Sequence, residues 1–574
     1  MRACSILRRH IHPSAKSLSQ SSGGVSAQIA RHYGQLPRAH RPPYSTQHDP
    51  RKASSSWIAF ALLAVGGGAC VFNYFTASER PFSAHSRPPP QQPFLGVIDT
   101  LKTMPVEPAP GTVGTLTPEQ EAKLQEFWVL TLKVFGVDIE ALEADASGKE
   151  SADAAAASAA KKEKEKDKSS KRRWTLWGRS NDDDGDDAKS VSSASGITAS
   201  LASINIAEGD DKYGQSKEFQ QALVDLSAEE IRTAFWNMVK QDHPDALLLR
   251  FLRARKWDVK KALVMMISTM RWRLQDVHVD DDIMANGEAL ALKQSQSSDP
   301  AEKKKGEEFL HQMRMGKSFL HGVDRFGRPI CVVRVRLHRA SEQEVDTLER
   351  FTVYTIETAR LLLAPPVETA TIIFDMTDFT LANMDYTPVK FMIKCFEANY
   401  PESLGSVLIH KAPWIFSSIW SIIKGWLDPV VAAKIHFTKN RQDLEEFIPP
   451  SQIMKELEGD ENWEYAYSEV QPGENSKMED TETRDKLISE RQELAKDIQA
   501  TTIEWIRASL KNEIATASSI KEKRNGQIQQ LRDQYWVIDP YIRTRSLYDR
   551  LNIVQGAGKI EFYPGTKKKA EETS

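Results

Sequence analysis

Residues of the types used in acid–base catalysis are few in this chain. Asp375, Asp378 and His410 are the one set that could form such a group. We expect Asp375 to end a strand and cap a turn instead, which is a common role for aspartate. The chain contains no GxSxG elbow, Walker loop, HExxH helix or dinucleotide-binding glycine pattern. We therefore predict no catalytic residue, no cofactor and no enzymatic activity.

A group of basic residues follows the apolar run LLL at 247–249. Arg250, Arg253, Arg255 and Lys256 are the kind of residues that neutralise a phosphate group. The same four would also suit the solvated face and the basic C-terminal end of a helix. Both interpretations stay open on the residues alone.

Composition excludes several other kinds of site. The chain has 574 residues and a net charge of −3, so it lacks the overall positive field of a general nucleic-acid binder. Its four cysteines lie far apart, without the spacing of metal ligands or of a disulfide framework. We predict no metal site and no nucleic-acid partner.

The N-terminal residues resemble a targeting segment followed by a membrane span. Residues 1–56 hold seven arginines and two lysines against one acid, with many serines and alanines, which is typical of a mitochondrial leader. A disordered basic arm is the alternative. Residues 57–75 are uncharged, and as a helix they would be about 28 Å long, close to the ~30 Å core of a bilayer. We predict a single-pass membrane protein, mitochondrial or else anchored in the endoplasmic reticulum or on the cytosolic face of another membrane.

Helical patterns follow a proline-rich linker at 80–113. Residues 114–275 show capping residues and apolar residues at helical spacing, which predicts a small helical bundle. Runs of Ala, Ser, Lys and Asp at 140–212 predict a disordered insert within it, because they offer little apolar surface to bury.

The pattern changes again after residue 310. Short β-rich runs alternate with helical segments over 310–470, which predicts an α/β layer with a largely parallel sheet. Residues 478–574 are rich in Glu, Lys, Arg and Gln, and we predict exposed helices there, available to a protein partner.

Four strings in this order resemble the CRAL-TRIO family, in particular fungal phosphatidylinositol transfer proteins of the secretory type. They are LLLRFLRARKWDVKKA (Leu247–Ala262), GVDRFGRPI (Gly322–Ile330), ANYPESLGSVLIHKAPWIF (Ala398–Phe416) and GWLDPVVAAKI (Gly425–Ile435). The likeness covers roughly residues 114–470 without the insert. It implies a mixed, largely parallel sheet that floors an apolar pocket, where one phospholipid is held without covalent chemistry.

The resemblance also implies a headgroup site. Relatives that hold phosphatidylinositol meet its phosphate with residues that match Arg255, Lys256, Glu402 and Lys434 here. The cations would neutralise phosphate, and Glu402 would orient a cation or accept inositol hydroxyls. Val431 stands where many relatives carry a hydroxyl, which removes one hydrogen bond to the headgroup.

A mobile gate helix is implied over 414–427, a segment too apolar for an ordinary exposed helix. Its tryptophans suit the level of lipid headgroups, although a buried core helix would have a similar composition. The predicted gate and membrane-contact residues are Trp414, Phe416, Ile419, Trp420, Ile423, Trp426 and Leu427.

The function implied is the extraction and exchange of a phospholipid, most of all phosphatidylinositol, between membranes. The partners expected are therefore a phospholipid and a membrane surface. A membrane-anchored scaffold or lipid sensor, which holds a lipid without transferring it, is the alternative. Other ligands found in such folds are phosphatidylcholine, sterols, tocopherol-like molecules and haem.

Overall fold

The computed structural model describes residues 108–137, 201, 204 and 211–564. The predicted leader 1–56, the predicted span 57–75 and most of the predicted insert lie outside these residues. Within the described segments, no helix combines the length and apolar character that crossing a membrane requires.

The helices of the described chain fall into an N-terminal group, a group around the sheet and a C-terminal group. The first two groups are α1 Pro118–Val134, α2 Gln215–Asp225, α3 Ala228–Val239, α4 Pro244–Ala254, α5 Val259–Arg271, α6 Ala285–Ser295, α7 Pro300–Met315, α8 Val345–Leu361, α9 Tyr386–Lys394, α10 Phe416–Lys424, α11 Pro429–Ala432 and α12 Arg441–Glu445. The C-terminal group is α13 Thr481–Leu510, α14 Ile514–Ile542 and α15 Leu547–Arg550.

One sheet forms the centre of the domain. Its strands are β1 Ser318–Val323, β2 Pro329–Arg334, β3 Ala370–Asp375, β4 Leu404–His410 and β5 Ile435–Thr438. They lie side by side in chain order. The hairpin β1–β2 is antiparallel, whereas β2, β3, β4 and β5 are parallel to one another. The mixed, largely parallel sheet expected from the sequence is therefore observed, with an antiparallel first strand.

Capping residues begin α1 and α3 where the sequence predicts them. The Thr117 side chain accepts from the Gln120 amide, and the Gln120 side chain accepts from the Thr117 amide, which forms a capping box before Pro118. Ser227 and Glu230 form the same motif before α3. These contacts satisfy amides that a helix start leaves without intrahelical partners, so local sequence sets both boundaries.

The C-terminal helices differ from our prediction. Helices α13 and α14 pack against each other and against the N-terminal bundle, instead of lying exposed. Their apolar residues belong to one core with α1 to α5, and the buried ones include Ala495, Ile498, Trp505, Ile506, Ile528 and Leu531. The charged composition of 478–574 describes the solvent face of these helices, and their inner face follows helical spacing.

A buried ion pair joins the C-terminal helices to the bundle. Both Nη atoms of Arg524 donate to the Asp245 carboxylate, at 2.7 and 2.6 Å. Trp128 Nε1 donates to the same carboxylate at 2.7 Å, and the Arg524 guanidinium also lies 5.3 Å from the ring centroids of Trp128 and Trp505. Because buried charges need partners, this network fixes how α14 meets α1 and α4.

Two predicted irregular segments end in ordered contacts. Near the end of the predicted insert, Leu201 is buried in the bundle core and Lys212 pairs with Glu397 at 2.6 Å. At the end of the predicted linker, the Gly111 carbonyl accepts from Arg253 Nη1 at 2.8 Å. The predicted disordered insert therefore extends too far, and the predicted linker ends in contact with the bundle, because single contacting residues leave no compositional pattern.

Candidate lipid-binding cavity

A large cavity lies between one face of the sheet and helices α8, α9 and α10. It encloses about 1520 Å³ of space free of protein atoms, part of it open to solvent. Most of its wall is aliphatic or aromatic, and the wall also contains Lys317, Arg334, His338 and Asp385. A cavity of this size and character suits the acyl chains of a lipid.

The sheet supplies the cavity floor through every second residue of its strands. Cys331 and Val333 from β2 line the cavity, and their register partners on β3, Ile372 and Phe374, line it as well. The next register neighbours, Val407 and Ile409 on β4, extend the same face. The floor is apolar because alternate side chains of a strand share one face.

Helix α10, which belongs to the segment predicted as a gate, covers one side of the cavity. Phe416, Ile419 and Ile423 are buried on its inner face, whereas Trp414 is 87% exposed just before the helix begins. Phe416, Trp420, Ile423 and Leu427 line the cavity. Of the seven residues predicted for the gate, five therefore face inward, Trp414 faces outward, and Trp426 is half-buried without lining the cavity.

Two gate tryptophans are half-buried. The Trp420 ring meets Phe437 edge to face, with centroids 5.3 Å apart. Trp426 packs on Tyr386 of α9 at 5.4 Å, and Lys390 Nζ lies 4.8 Å from its ring centroid. Of the three predicted interfacial tryptophans, Trp414 is therefore the one with a largely exposed ring.

The polar contacts at the end of the gate converge on Glu397. This carboxylate accepts from Lys212 Nζ at 2.6 Å, from the Tyr213 hydroxyl at 2.6 Å and from the backbone amide of Asp428 at 2.7 Å. Lys212 also donates to the Trp426 carbonyl. Burial and the bond to Glu397 raise the pKa of the Tyr213 phenol, which stays protonated as a donor.

Two of the four predicted headgroup residues lie together. Lys434 Nζ is 3.4 Å from Glu402 Oε2, and the side chains are 23% and 25% exposed. Glu402 precedes β4 and has a left-handed backbone with φ of 54°, which is uncommon for a residue other than glycine or asparagine. Lys434 stands between Val431 and Ile435 in the chain, and both of these line the cavity, although Lys434 and Glu402 do not line it themselves.

The other two lie at the end of α4. Arg255 Nη2 donates to Gln215 Oε1, and Gln215 Nε2 donates to the Ala398 carbonyl at 3.2 Å. Arg255 is thereby linked to the segment that leads into Glu402. Lys256 is exposed and has φ of 51°. Gln215 was not predicted from the sequence, because an isolated glutamine matches no motif.

The residues considered for acid–base chemistry have structural partners. Asp375 accepts from Arg336 Nη1 at 2.6 Å and from the Thr377 amide at 3.0 Å, the latter being the turn cap that we predicted. His410 Nδ1 lies 3.1 Å from the Thr438 hydroxyl, and burial lowers the pKa of the imidazole. Among the described residues, no His, Cys, Asp and Glu side chains are grouped so that they could hold a metal ion.

A largely parallel sheet with an apolar cavity closed by a short helix defines the class of an α/β lipid-binding domain. Comparison with known families agrees with that class. Residues 313–459 match the CRAL/TRIO domain, and residues 215–268 match the CRAL/TRIO N-terminal domain.

Full-length relatives extend this similarity. A CRAL-TRIO domain-containing protein of Schizosaccharomyces pombe is 38% identical over 77% of this chain and 92% of its own length. The phosphatidylinositol transfer protein CSR1 of Eremothecium gossypii is 40% identical over 77% of this chain and 97% of its own length. The Sec14 cytosolic factor of S. pombe is 28% identical over 43% of this chain and 84% of its own length. The chain belongs to the CRAL-TRIO family, whose members bind lipids.

Proposed function

We propose that this protein extracts a phospholipid, preferentially phosphatidylinositol, from one membrane and releases it into another. The observation that carries the proposal is an apolar cavity with an acid–base pair, Glu402 and Lys434, close in sequence to residues that line it. A relative of 40% identity that is named a phosphatidylinositol transfer protein supports the choice of lipid.

The chemistry of binding is electrostatic and apolar, with no covalent step. Acyl chains fill the cavity, where each buried methylene contributes about 0.8 kcal/mol. The phosphate diester binds Lys434, whose ammonium gains a second anionic partner beside Glu402. Arg255 neutralises the remaining charge, and Glu402 accepts hydrogen bonds from inositol hydroxyls.

Exchange requires the gate to open at a bilayer. Trp414 docks at the level of the headgroups, and α10 then moves away from the sheet. The movement exposes the apolar residues of its inner face to acyl chains instead of water, so the bilayer offsets the cost that opening has in solution.

The experiment measures transfer of two labelled lipids between vesicles by the Lys434→Ala variant and the parent chain. A charge-assisted hydrogen bond contributes about 1.5–3 kcal/mol, so phosphatidylinositol binding should weaken by roughly tenfold to a hundredfold. Phosphatidylcholine, if carried at all, should change much less. Lys424→Ala is a control, because Lys424 is exposed on the gate and does not line the cavity.

Three outcomes contradict the proposal. Equal loss of both lipids means that the variant merely disturbs the cavity. Equal affinity for phosphatidylinositol before and after the change means that Lys434 and Glu402 form only a surface ion pair. Binding without transfer by the parent chain favours a membrane-anchored scaffold or sensor.

We also propose that the chain works while anchored through residues 57–75, in a mitochondrial membrane to which residues 1–56 direct it. Their composition supports the address. The tagged full-length chain should co-fractionate with mitochondria and resist carbonate extraction. Recovery from the cytosol contradicts both the membrane anchoring and the mitochondrial targeting. Recovery from the endoplasmic reticulum contradicts the mitochondrial targeting alone.

A further inference from the structure

A lysine lines the cavity at the start of β1. Lys317 follows Gly316, which ends α7 in a left-handed conformation with φ of 62°. Its amide donates to the Gln312 carbonyl at 3.2 Å, and its carbonyl accepts from the Arg334 amide at 2.8 Å. Because helix end and strand start hold the backbone on both sides, the side chain has a defined direction.

The Lys317 ammonium is buried with neutral partners. The residue is 4% exposed, and its Nζ lies 2.9 Å from Gln343 Oε1 and 3.4 Å from His338 Nδ1. None of the described carboxylates lies within 4.0 Å of this Nζ, since no ion pair of Lys317 is found there. A buried ammonium of this kind lacks the counter-charge that such groups normally have.

The other polar side chains of the cavity wall are already paired. Arg334 binds Glu456 through two nitrogens, at 3.1 and 2.5 Å. His338 Nε2 lies 3.4 Å from Asp385 Oδ2, and Asp385 Oδ1 caps α9 through the Thr387 amide at 2.9 Å. Lys317 is therefore a cavity-lining cation that forms no ion pair with a carboxylate of the described residues.

Lys317 and Lys434 occupy opposite corners of the sheet. Lys317 precedes β1 and Lys434 precedes β5, the two outer strands. Five strands spaced about 4.8 Å apart place these edges roughly 19 Å from each other. Because β1 runs against the parallel strands, the two lysines also lie at opposite ends of the strands.

A small cleft adjoins the cavity near Lys317. It lies between α8 and α9 and shares Leu348, Thr352, Asp385 and Pro388 with the cavity wall. Gln343, the partner of Lys317, lines the cleft as well. The wall near Lys317 therefore carries polar side chains beside the apolar space.

We propose that Lys317 binds the anionic head of a second ligand class, a long-chain amphiphile with a carboxylate or a phosphate monoester. The ligand lies with its head at Lys317 and its tail along the apolar floor, towards the gate. Its orientation is opposite to that of a phospholipid held at Glu402 and Lys434. The inference rests on the proposed function only in requiring that the cavity accepts lipid.

The test uses the full-length chain and two probes, radiolabelled oleate below its micelle concentration and vesicles that contain labelled phosphatidic acid. The variant is Lys317→Met, which keeps an unbranched apolar stem and removes the charge. Oleate or phosphatidic acid should bind about tenfold to a hundredfold more weakly. Phosphatidylinositol transfer should fall by a smaller factor than oleate binding does, because the two lysines are far apart. Lys455→Met, at an exposed lysine outside the cavity, is the matched control.

The pH dependence gives a second readout. Burial lowers the pKa of Lys317 to about 8, and the exposed carboxylate of Glu342 acts against that effect. Burial also lowers the pKa of His338, so this ring is neutral at pH 7, and Asp385 and Arg334 keep their partners. The ammonium is lost as pH rises through this range. Parent affinity for oleate should fall between pH 7 and pH 10, while the weaker affinity of the variant should stay flat.

The outcomes separate the two proposals. Loss of oleate alone supports a fatty carboxylate, and loss of phosphatidic acid alone supports a phosphate monoester. Unchanged affinity for both in Lys317→Met, or no saturable binding of either to the parent, overturns the inference. Parallel loss of phosphatidylinositol also overturns it, because the lysine would then only maintain the cavity. Failure of the parent to transfer phosphatidylinositol, with charge-dependent oleate binding intact, rejects the proposed function and leaves the inference standing.

Discussion

The bundle of α1 to α5 with α13 and α14, here called the rear frame, and the gate helix α10 are held in place by different interactions. At the rear, buried ion pairs join helices that are distant in sequence, as Arg524 joins Asp245 and as Arg273 joins Glu357 at 2.7 Å. At the gate, α10 is held by apolar contacts beneath it and by the polar group around Glu397 at its end.

The difference determines which part can move. Breaking a buried ion pair leaves an uncompensated charge in a region of low dielectric, so the rear resists partial opening. Apolar contacts of the gate can be replaced by contacts with lipid chains at little cost. We infer that the rear frame is rigid and that the gate helix α10 opens as a unit.

The largest effect is expected from breaking the frame. Arg524→Met leaves Asp245 buried with Trp128 as its remaining side-chain donor, and should lower the free energy of unfolding by about 3–5 kcal/mol. Urea unfolding at pH 7 measures this loss. The double variant Arg524→Met with Asp245→Asn should recover part of it, because no charge is then stranded; equal stability of the single variant and the parent would refute the rigid frame.

The same pair predicts an acid dependence. Burial raises the pKa of Asp245, but Arg524 outweighs burial and brings it to about 2, below the usual aspartate pKa of 3.8. The folded state therefore holds the proton less tightly than the unfolded state. The stabilisation is present above about pH 4 and is lost as pH falls towards 2. The stability difference between parent and Arg524→Met should shrink over that interval.

The contrast also explains what the sequence could predict. Strands β2 to β5 and the starts of α1 and α3 follow from local patterns, such as β-rich runs and the capping box at Thr117. The rear frame could not be predicted, because Asp245 and Arg524 are 279 residues apart and neither has a local signature. From the sequence alone, we therefore predicted that α13 and α14 are exposed.

The candidate site shows the same division. The apolar run around α10 predicts a gate, and the matched strings predict Lys434 and Glu402, which the structure places together. Lys317 was missed because a single lysine before a strand is ordinary in sequence. Its significance comes from burial and from neutral hydrogen-bond partners, and both depend on the folded chain.

A smaller effect is expected from loosening the gate. Glu397→Gln removes the charge that binds Lys212 and weakens the bond with Tyr213. Each charge-assisted bond contributes about 1.5–3 kcal/mol at most, less where Lys212 is exposed to water. Phosphatidylinositol exchange should become faster by roughly threefold to tenfold, with little change in the melting temperature. Tyr213→Phe, which removes one bond, should accelerate exchange less. Slower exchange in either variant would contradict the inference that the contacts of Glu397 hold the gate closed.

The smallest effect is expected at the outer surface of the gate. Trp414→Ala removes an exposed indole that contacts little protein, so stability should hardly change. One interfacial indole contributes on the order of 1 kcal/mol, so binding to vesicles and transfer should fall by about threefold to tenfold.

Trp420→Ala is the informative companion, because that ring packs on Phe437 and lines the cavity. It should lower the melting temperature by cavity formation, with a smaller effect on vesicle binding. If Trp420→Ala instead weakens vesicle binding more than Trp414→Ala does, the gate meets the bilayer in an open state that exposes its inner face first.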